Sequence, residues 1–318
     1  MLIAMSLFKD APLTIENLQA GLEAQGYIAS DSISLSLFLA LQLEKPILVE
    51  GPPGVGKTEL AKAASALLSR PLIRLQCYEG LDEAKALYEW KYGKQLLYTQ
   101  VLKEQLGDVL RGAQGLAESV ARLHEFGDIF YSPEFLEPRP LLAALQAEQG
   151  AVLLIDEIDK ADQEFEAFLL ELLSDYQISV PELGTIKARK RPLVLLTSNN
   201  QRELSEALKR RCLHLYISYP DAALERRILS SQVPELPSTL RENLVAFVQQ
   251  LRQEDLRKAP AISESLDWAR TLLLLHVEAL EVEWVGKTLP VLLKHEDDVE
   301  RIRERLPELL KALRSPRR

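Results

Sequence analysis

The stretch GPPGVGKTEL, residues 51–60, carries glycines, a lysine and a threonine at the spacing Gly-x-x-x-x-Gly-Lys-Thr. Glycine backbone admits the conformations that turn successive N–H groups inward, so such a loop cradles phosphate oxygens. Gly51, Pro52, Pro53, Gly54, Val55, Gly56, Lys57, Thr58 and Glu59 are the residues expected around a nucleotide's phosphates. Lys57 is placed to reach the β and γ phosphates and the Thr58 hydroxyl to ligate Mg²⁺. A glycine-rich turn with no ligand is the bland alternative. The apolar run leading in and the amphipathic helix leading out tell against it.

Asp156 and Glu157 close the apolar run AVLLI. An aspartate there can hold Mg²⁺, here through a water, and an adjacent glutamate can polarise an attacking water. Without a phosphate loop nearby, the pair would read as a solvated strand end or a helix cap. Adjacent carboxylates, and the lack of an Asn-Lys-x-Asp motif anywhere in the chain, favour ATP over GTP. In LLTSNN, Asn199 ends another apolar run and can orient the lytic water or touch the γ-phosphate, with Thr197, Ser198 and Asn200 competing for that role. In LSEALKRRCLHL, Arg210 and Arg211 sit at a helix end, where cations also complement the helix dipole.

These residues need a scaffold. PILVE (46–50), LIRLQCY (72–78), AVLLIDE (151–157), LVLLTSN (193–199) and LHLYIS (213–218) are near-continuous apolar runs, the pattern of buried parallel strands. Helical patterns separate them: Leu60, Ala64, Leu67 and Leu68 on one face, EFLEPRPLLAALQAE as a second helix, and Phe165, Phe168, Leu169 and Leu172 on a third. Strands alternating with helices predict a doubly wound α/β domain with its ligand at the carboxyl ends of the strands. From about 221 onward only helical patterns remain, so 1–220 is expected to be the nucleotide-binding domain and 221–318 a helical lid with C-terminal helices.

Taken together, the four segments resemble an AAA+ ATPase. GPPGVGKT resembles Walker A, LLIDEIDKA Walker B, TSN sensor 1 and LKRRC the arginine-finger segment, in the family's chain order over roughly residues 25–275. Within that superfamily the chain is most similar to the MoxR group and its CoxD-like branch, in EGPPGVGKTELAKA, RLQCYEGLDEAKALYEW, FLEPRPLLAAL, LLIDEIDKADQEFEAFLLELLSDYQISVPELGTI and SESLDWAR. The resemblance implies an α/β AAA+ P-loop domain with a five-stranded parallel sheet in the order 5-1-4-3-2 and a C-terminal all-helical lid. ATP and Mg²⁺ would lie between the two parts. It further implies a homo-oligomeric ring, a hexamer, in which Arg211, or Arg210 as the alternate, acts on the neighbour's γ-phosphate. MoxR-like chains carry a sensor 2 arginine in a short Ser-x-Arg turn; here SES offers Ser265, and Arg270, five residues on, stands in as the nucleotide contact.

The path from about 82 to 135 matches the place of the MoxR helix 2 insert, and ISVPELGTIKARKR forms a basic hairpin at about 176–191. Tyr88, Trp90 and Tyr92 in the insert, and Lys187, Arg189, Lys190 and Arg191 on the hairpin, are candidates to grip a substrate. The competing readings are packing of the aromatics on the core and a solvated hairpin edge. The implied function is a chaperone-like remodelling ATPase that acts in maturing a metalloenzyme with a molybdenum–copper site, partnered by a von Willebrand A domain protein. A nucleic-acid motor or restriction-type subunit is the second reading, and a P-loop kinase the third.

The net charge of -9 and a pI of about 5.2 disfavour nucleic acid and anionic lipid as partners. MLIAMSLF lacks the basic region of a signal peptide, no run approaches a membrane span, and a cytoplasmic location is expected. Cys77 and Cys212, far apart, build neither a disulfide framework nor a zinc site, and His124, His214, His276 and His295 lack ligand spacing.

Overall fold

Five strands, β1 (Ile47–Glu50), β2 (Leu72–Gln76), β5 (Val152–Asp156), β8 (Leu193–Ser198) and β9 (Leu213–Tyr216), form one sheet in the order β2-β5-β8-β1-β9. Every neighbouring pair is parallel. Counted as first to fifth along the chain, this is the expected 5-1-4-3-2 read from the other edge. The computed structural model describes residues 13–101, 133–180 and 184–314. MLIAMSLF, the part of the expected insert that contains His124, the hairpin tip at 181–183 and the last four residues of the basic tail lie outside the described residues.

Side-chain alternation along the strands makes two cores. Leu48, Leu153, Ile155, Val194 and Leu196 face one layer, whereas Ile47, Val49, Val152, Leu154, Leu193 and Leu195 face the other. The first layer is covered by α6 (Pro140–Gln146) and α7 (Gln163–Asp175), the second by α1 (Ile15–Ala24), α2 (Asp31–Leu43) and α3 (Lys57–Leu68). Covering on both faces explains why β5 and β8 are wholly buried. The runs at the two edges are not: β2 and β9 leave Arg74, Gln76, His214 and Tyr216 exposed. That corrects the expectation of five buried strands.

One expected helix is displaced. EFLEPRPLLAALQAE is predicted to be helical throughout, but Leu136–Pro138 is a strand (β4) paired antiparallel with β3 (Tyr88–Trp90), and the helix begins only at Pro140. Pro138 and Pro140 lack N–H groups and push the residues before them out of the helical region, so no helix crosses 137–139. Between them β2 is followed by α4 (Glu83–Leu87), β3 and α5 (Tyr92–Val101). The basic hairpin forms as β6 (Gln177–Val180) and β7 (Gly184–Lys187), antiparallel.

After α8 (Glu206–Arg211) and β9 the chain is helical: α9 (Ala222–Gln232), α10 (Ser238–Leu251), α11 (Ile262–Leu274), α12 (Val282–Leu292) and α13 (Glu296–Arg314). They share a third core around Phe247, Trp268, Leu289 and Ile302. An ion pair among these helices lies largely out of solvent: Arg252 Nη2 is 2.8 Å from Oε1 of the buried Glu225. Among the described residues no helix is long and apolar enough to cross a membrane.

Candidate active site

The phosphate loop bridges β1 and α3, and its glycines adopt the left-handed backbone that their sequence anticipates. Gly54 has φ 81° and Gly56 φ 97°. Space is the second requirement: a Cβ on Gly51 would lie 2.1 Å from the Ile217 carbonyl oxygen, and one on Gly54 2.4 Å from Ser263 Oγ. The loop is thus pressed between β9's exit and the start of α11, whose Ser263 N–H reaches Gly54 O at 3.3 Å.

At the carboxyl ends of β5 and β8 the polar residues converge on the loop. Lys57 Nζ donates to Gly51 O (2.6 Å), Pro52 O (2.8 Å) and Asn199 Oδ1 (2.7 Å). Asn199 Nδ2 in turn donates to Glu157 Oε1 at 3.3 Å. Thr58 Oγ1 lies 3.3 Å from Asp156 Oδ1, which also accepts the Thr197 hydroxyl at 2.5 Å. The Thr197 oxygen accepts the Glu157 N–H at 2.9 Å, so one hydroxyl fixes both acidic neighbours. Glu157 sits at φ 57°, a left-handed conformation rare for a residue with a side chain, and local strain of this kind is held where the surroundings over-determine it. Burial pushes the Lys57 ammonium pKa below its ordinary value, while the carboxylates of Asp159, Asp156 and Glu157 pull it back up.

The residues present suit a triphosphate with a hard divalent cation. The loop's positive-φ glycines leave its backbone free of side chains at Gly51, Gly54 and Gly56, and the Thr58 hydroxyl beside a buried carboxylate is an oxygen pair of the kind magnesium takes. Pro53, Gly54, Gly56, Lys57, Thr58, Glu59, Asp156, Glu157 and Asn199 all line this one pocket. A second cleft of about 600 Å³ adjoins it, lined by Tyr27, Ile28, Val55, Ile217 and Ile228, a size and apolar character suited to a nucleobase.

Sequence reasoning missed that cleft, because its walls are ordinary apolar residues far apart in the chain. It also missed Asp159, whose Oδ2 accepts the N–H groups of Asn199 and Gln201, each at 3.0 Å. Arg74 and Gln76 escaped it too. Their alternation with Ile73 and Leu75 in an edge strand was the available signal.

The remaining residues singled out from the sequence lie as follows. Ser265, which stands where the resemblance has an arginine, is buried among the C-terminal helices, its hydroxyl donating to Glu225 Oε1 at 2.7 Å, and the α11 residue that meets the phosphate loop is Ser263. Arg270 is exposed beside Asp267 and lines the base cleft, not the phosphate pocket. Arg210 and Arg211, at the end of α8, line neither. Arg211 is fastened within its own chain, Nε to Ser174 Oγ at 2.7 Å and Nη1 to Ala207 O at 3.1 Å, whereas Arg210 is exposed.

A family model described as AAA domain (dynein-related subfamily) matches residues 46–212, more than half of the chain and the whole span from β1 to the end of α8. The chain belongs to that family. This AAA subfamily includes MoxR-like ATPases, in agreement with the coarser part of the sequence resemblance. Among curated relatives, an uncharacterized protein of Staphylococcus haemolyticus, SH1500, is 28% identical over 78% of this chain and 83% of its own length. Uncharacterized protein YojN of Bacillus subtilis is 28% identical over 71% of this chain and 64% of its own. Among solved structures, a mutant of Thermotoga maritima RuvB aligns with a TM-score of 0.49 at 17% identity, covering 96% of this chain and 81% of that one.

Proposed function

We propose that this AAA-domain protein hydrolyses ATP with Mg²⁺ and uses the energy to remodel a protein client. The carrying observation is the Lys57–Asn199–Glu157 chain of hydrogen bonds beside the Thr58–Asp156 pair. It brings a phosphate-binding cation, a water-polarising carboxylate and two metal-ligating oxygens to one pocket.

In this reading Lys57 leaves the loop carbonyls for phosphate oxygens, and the loop N–H groups hold the remaining negative charge. Thr58 and Asp156 would hold the cation, which would supply charge neutralisation on the phosphates. Glu157 accepts a proton from the attacking water, and Asn199 orients that water between Glu157 and the terminal phosphate. Tyr27, Ile28 and Ile217 receive the base, with Arg270 at the cleft's rim.

A homo-oligomeric ring, a hexamer, completes the reading. The two arginines divide the work: Arg211 anchors the end of α8 to Ser174, and Arg210 reaches the neighbour's nucleotide. Residues 1–220 and 221–318 act as nucleotide-binding domain and lid. The CoxD-like resemblance supports a client in molybdenum–copper enzyme maturation and a von Willebrand A domain partner. The test is phosphate release and sedimentation on the same samples. ATP-dependent assembly, with specific activity rising with protein concentration, is expected. A monomer that turns over ATP at a concentration-independent rate overturns the ring, and absence of phosphate release overturns the ATPase.

A further inference from the structure

The two outward-facing residues of edge strand β2 lie on the two acidic residues of the site. Arg74 Nε and Nη2 donate to Asp156 Oδ2 at 3.0 and 2.6 Å, and Nη2 also reaches Gln76 Oε1 at 2.5 Å. Gln76 Nε2 donates to Glu157 Oε2 at 2.8 Å. The Asp156 side chain is 4% exposed, that of Arg74 51%. The pair is therefore anchored at a buried carboxylate and open to solvent at its guanidinium.

A buried carboxylate without a counter-charge is strongly unfavourable. Thr58 and Thr197 give Asp156 hydrogen bonds but no charge, and Lys57 acts on it without a direct bond, so Arg74 is the cation in contact with it. A divalent ion drawn to the same carboxylate meets a like charge already there. We propose that Arg74 is a positioning residue that neutralises Asp156 and competes with Mg²⁺ for it, so that the metal enters with the nucleotide and displaces the guanidinium toward solvent. Being half exposed, Arg74 gives up a contact of modest strength when it swings out. The inference rests on the reading of this pocket as a Mg²⁺–ATP site.

The test is binding of a fluorescent ATP analogue to the full chain, followed by anisotropy in EDTA and across a Mg²⁺ titration, for wild type, Arg74→Ala, Arg74→Gln and Arg74→Lys. Both neutral variants are expected to lower the Mg²⁺ midpoint by about two- to fivefold, the range an exposed ion pair supports. Arg74→Lys, which keeps the charge, should stay close to wild type. An unchanged or raised midpoint in the neutral variants overturns the proposal. An equal loss of analogue affinity with and without metal also overturns it, marking Arg74 as a phosphate ligand. Wild-type protein that binds no analogue in any condition removes the Mg²⁺–ATP reading and this proposal together; wild-type binding with an unmoved midpoint removes the proposal alone. Thermal melts of all four proteins separate either result from unfolding, and Arg74→Gln carries the test if the alanine variant does not fold.

Discussion

Lys57 Nζ and Asn199 Oδ1 are 2.7 Å apart although 142 residues separate them in the chain. The contact joins the start of α3 to the end of β8 and, through Asn199 Nδ2, reaches Glu157. Each of the three residues therefore has a separable task, and substitutions should split binding from turnover. Lys57→Ala should weaken ATP binding about 10- to 100-fold, the value of a charge-assisted contact. Glu157→Gln should bind as wild type and lose about 10²–10⁴ in turnover, because an amide accepts no proton from water. Asn199→Ala should lower turnover more than affinity. Nucleotide titration and phosphate release on the same preparations check all three; a glutamine variant with wild-type turnover removes Glu157 as the base.

The ends of α8 make the second prediction. Arg211 is spent on Ser174 and Ala207, and Arg210 is exposed. Arginine fingers contribute ~10³–10⁵ in rate where GTPases have been dissected, and Arg210→Ala should cost a smaller but still large factor, about 10² or more. ATP binding to the subunit should be intact. Mixing Arg210→Ala with Lys57→Ala subunits should restore part of the turnover, since one interface then holds both halves. Arg211→Ala should act through the position of α8, lowering thermal stability as well as rate. Failure of the mixture to recover activity argues against action between subunits.

How much of this was legible beforehand follows from where each signal resides. The phosphate loop, the Asp156–Glu157 pair and Asn199 are read from adjacent letters, because strand ends and glycine turns impose residue types over a few positions. The sheet order came with the resemblance, and the pairing of β1 with both β8 and β9 agrees with it. What escaped is made by distance. The base cleft joins residues near 27 to residues near 217 and 228, and Arg74 meets Asp156 across two neighbouring strands. The helix read over EFLEPRPLLAALQAE extends across β4 because Leu141, Leu142 and Leu145 set a helical period that the prolines before them interrupt. That Ser263 meets the phosphate loop while Ser265, two residues on, is buried was not legible, since SES offers two serines and burial alone separates them.

The cysteines give a test of how closed the sheet is. Burial, with the Asp156, Asp159 and Glu157 carboxylates adding to it, pushes the Cys77 thiol up to about 12; burial does the same to Cys212, against the opposing pull of Arg211. At pH 8 a thiol of that pKa is ionised in roughly one molecule in ten thousand, against about a quarter for an ordinary one. Native protein should release no fast equivalent of thionitrobenzoate from Ellman's reagent, and denatured protein should release two. Rapid reaction of Cys77 in the native state would mean that the layer behind Asp156 opens.

The aromatics of the expected insert, grouped by sequence as candidates to grip a client, part company in the fold. Trp90 is buried, sits edge-on to Tyr88 at 5.8 Å between ring centres, and belongs to the same core as Phe135 and Leu142. Tyr88 is half-buried against that core, and Tyr92 alone is exposed. The basic hairpin is likewise half committed: Arg189 pairs with Glu148 at 2.9 Å and Arg191 with Glu44, leaving Lys187 and Lys190 as its exposed cations outside those pairs. Trp90→Ala removes a large core side chain and should cost about 3–5 kcal/mol of stability, lowering basal turnover with it. Tyr92→Ala should leave the melting temperature and basal turnover unchanged. If the exposed ring meets a client, the same substitution should abolish stimulation of the ATPase by that client or its partner. Calorimetry and phosphate release on both variants decide between the roles: a tyrosine variant that melts early returns Tyr92 to the core, and a tryptophan variant as stable as wild type overturns the packing assigned to β3 and β4.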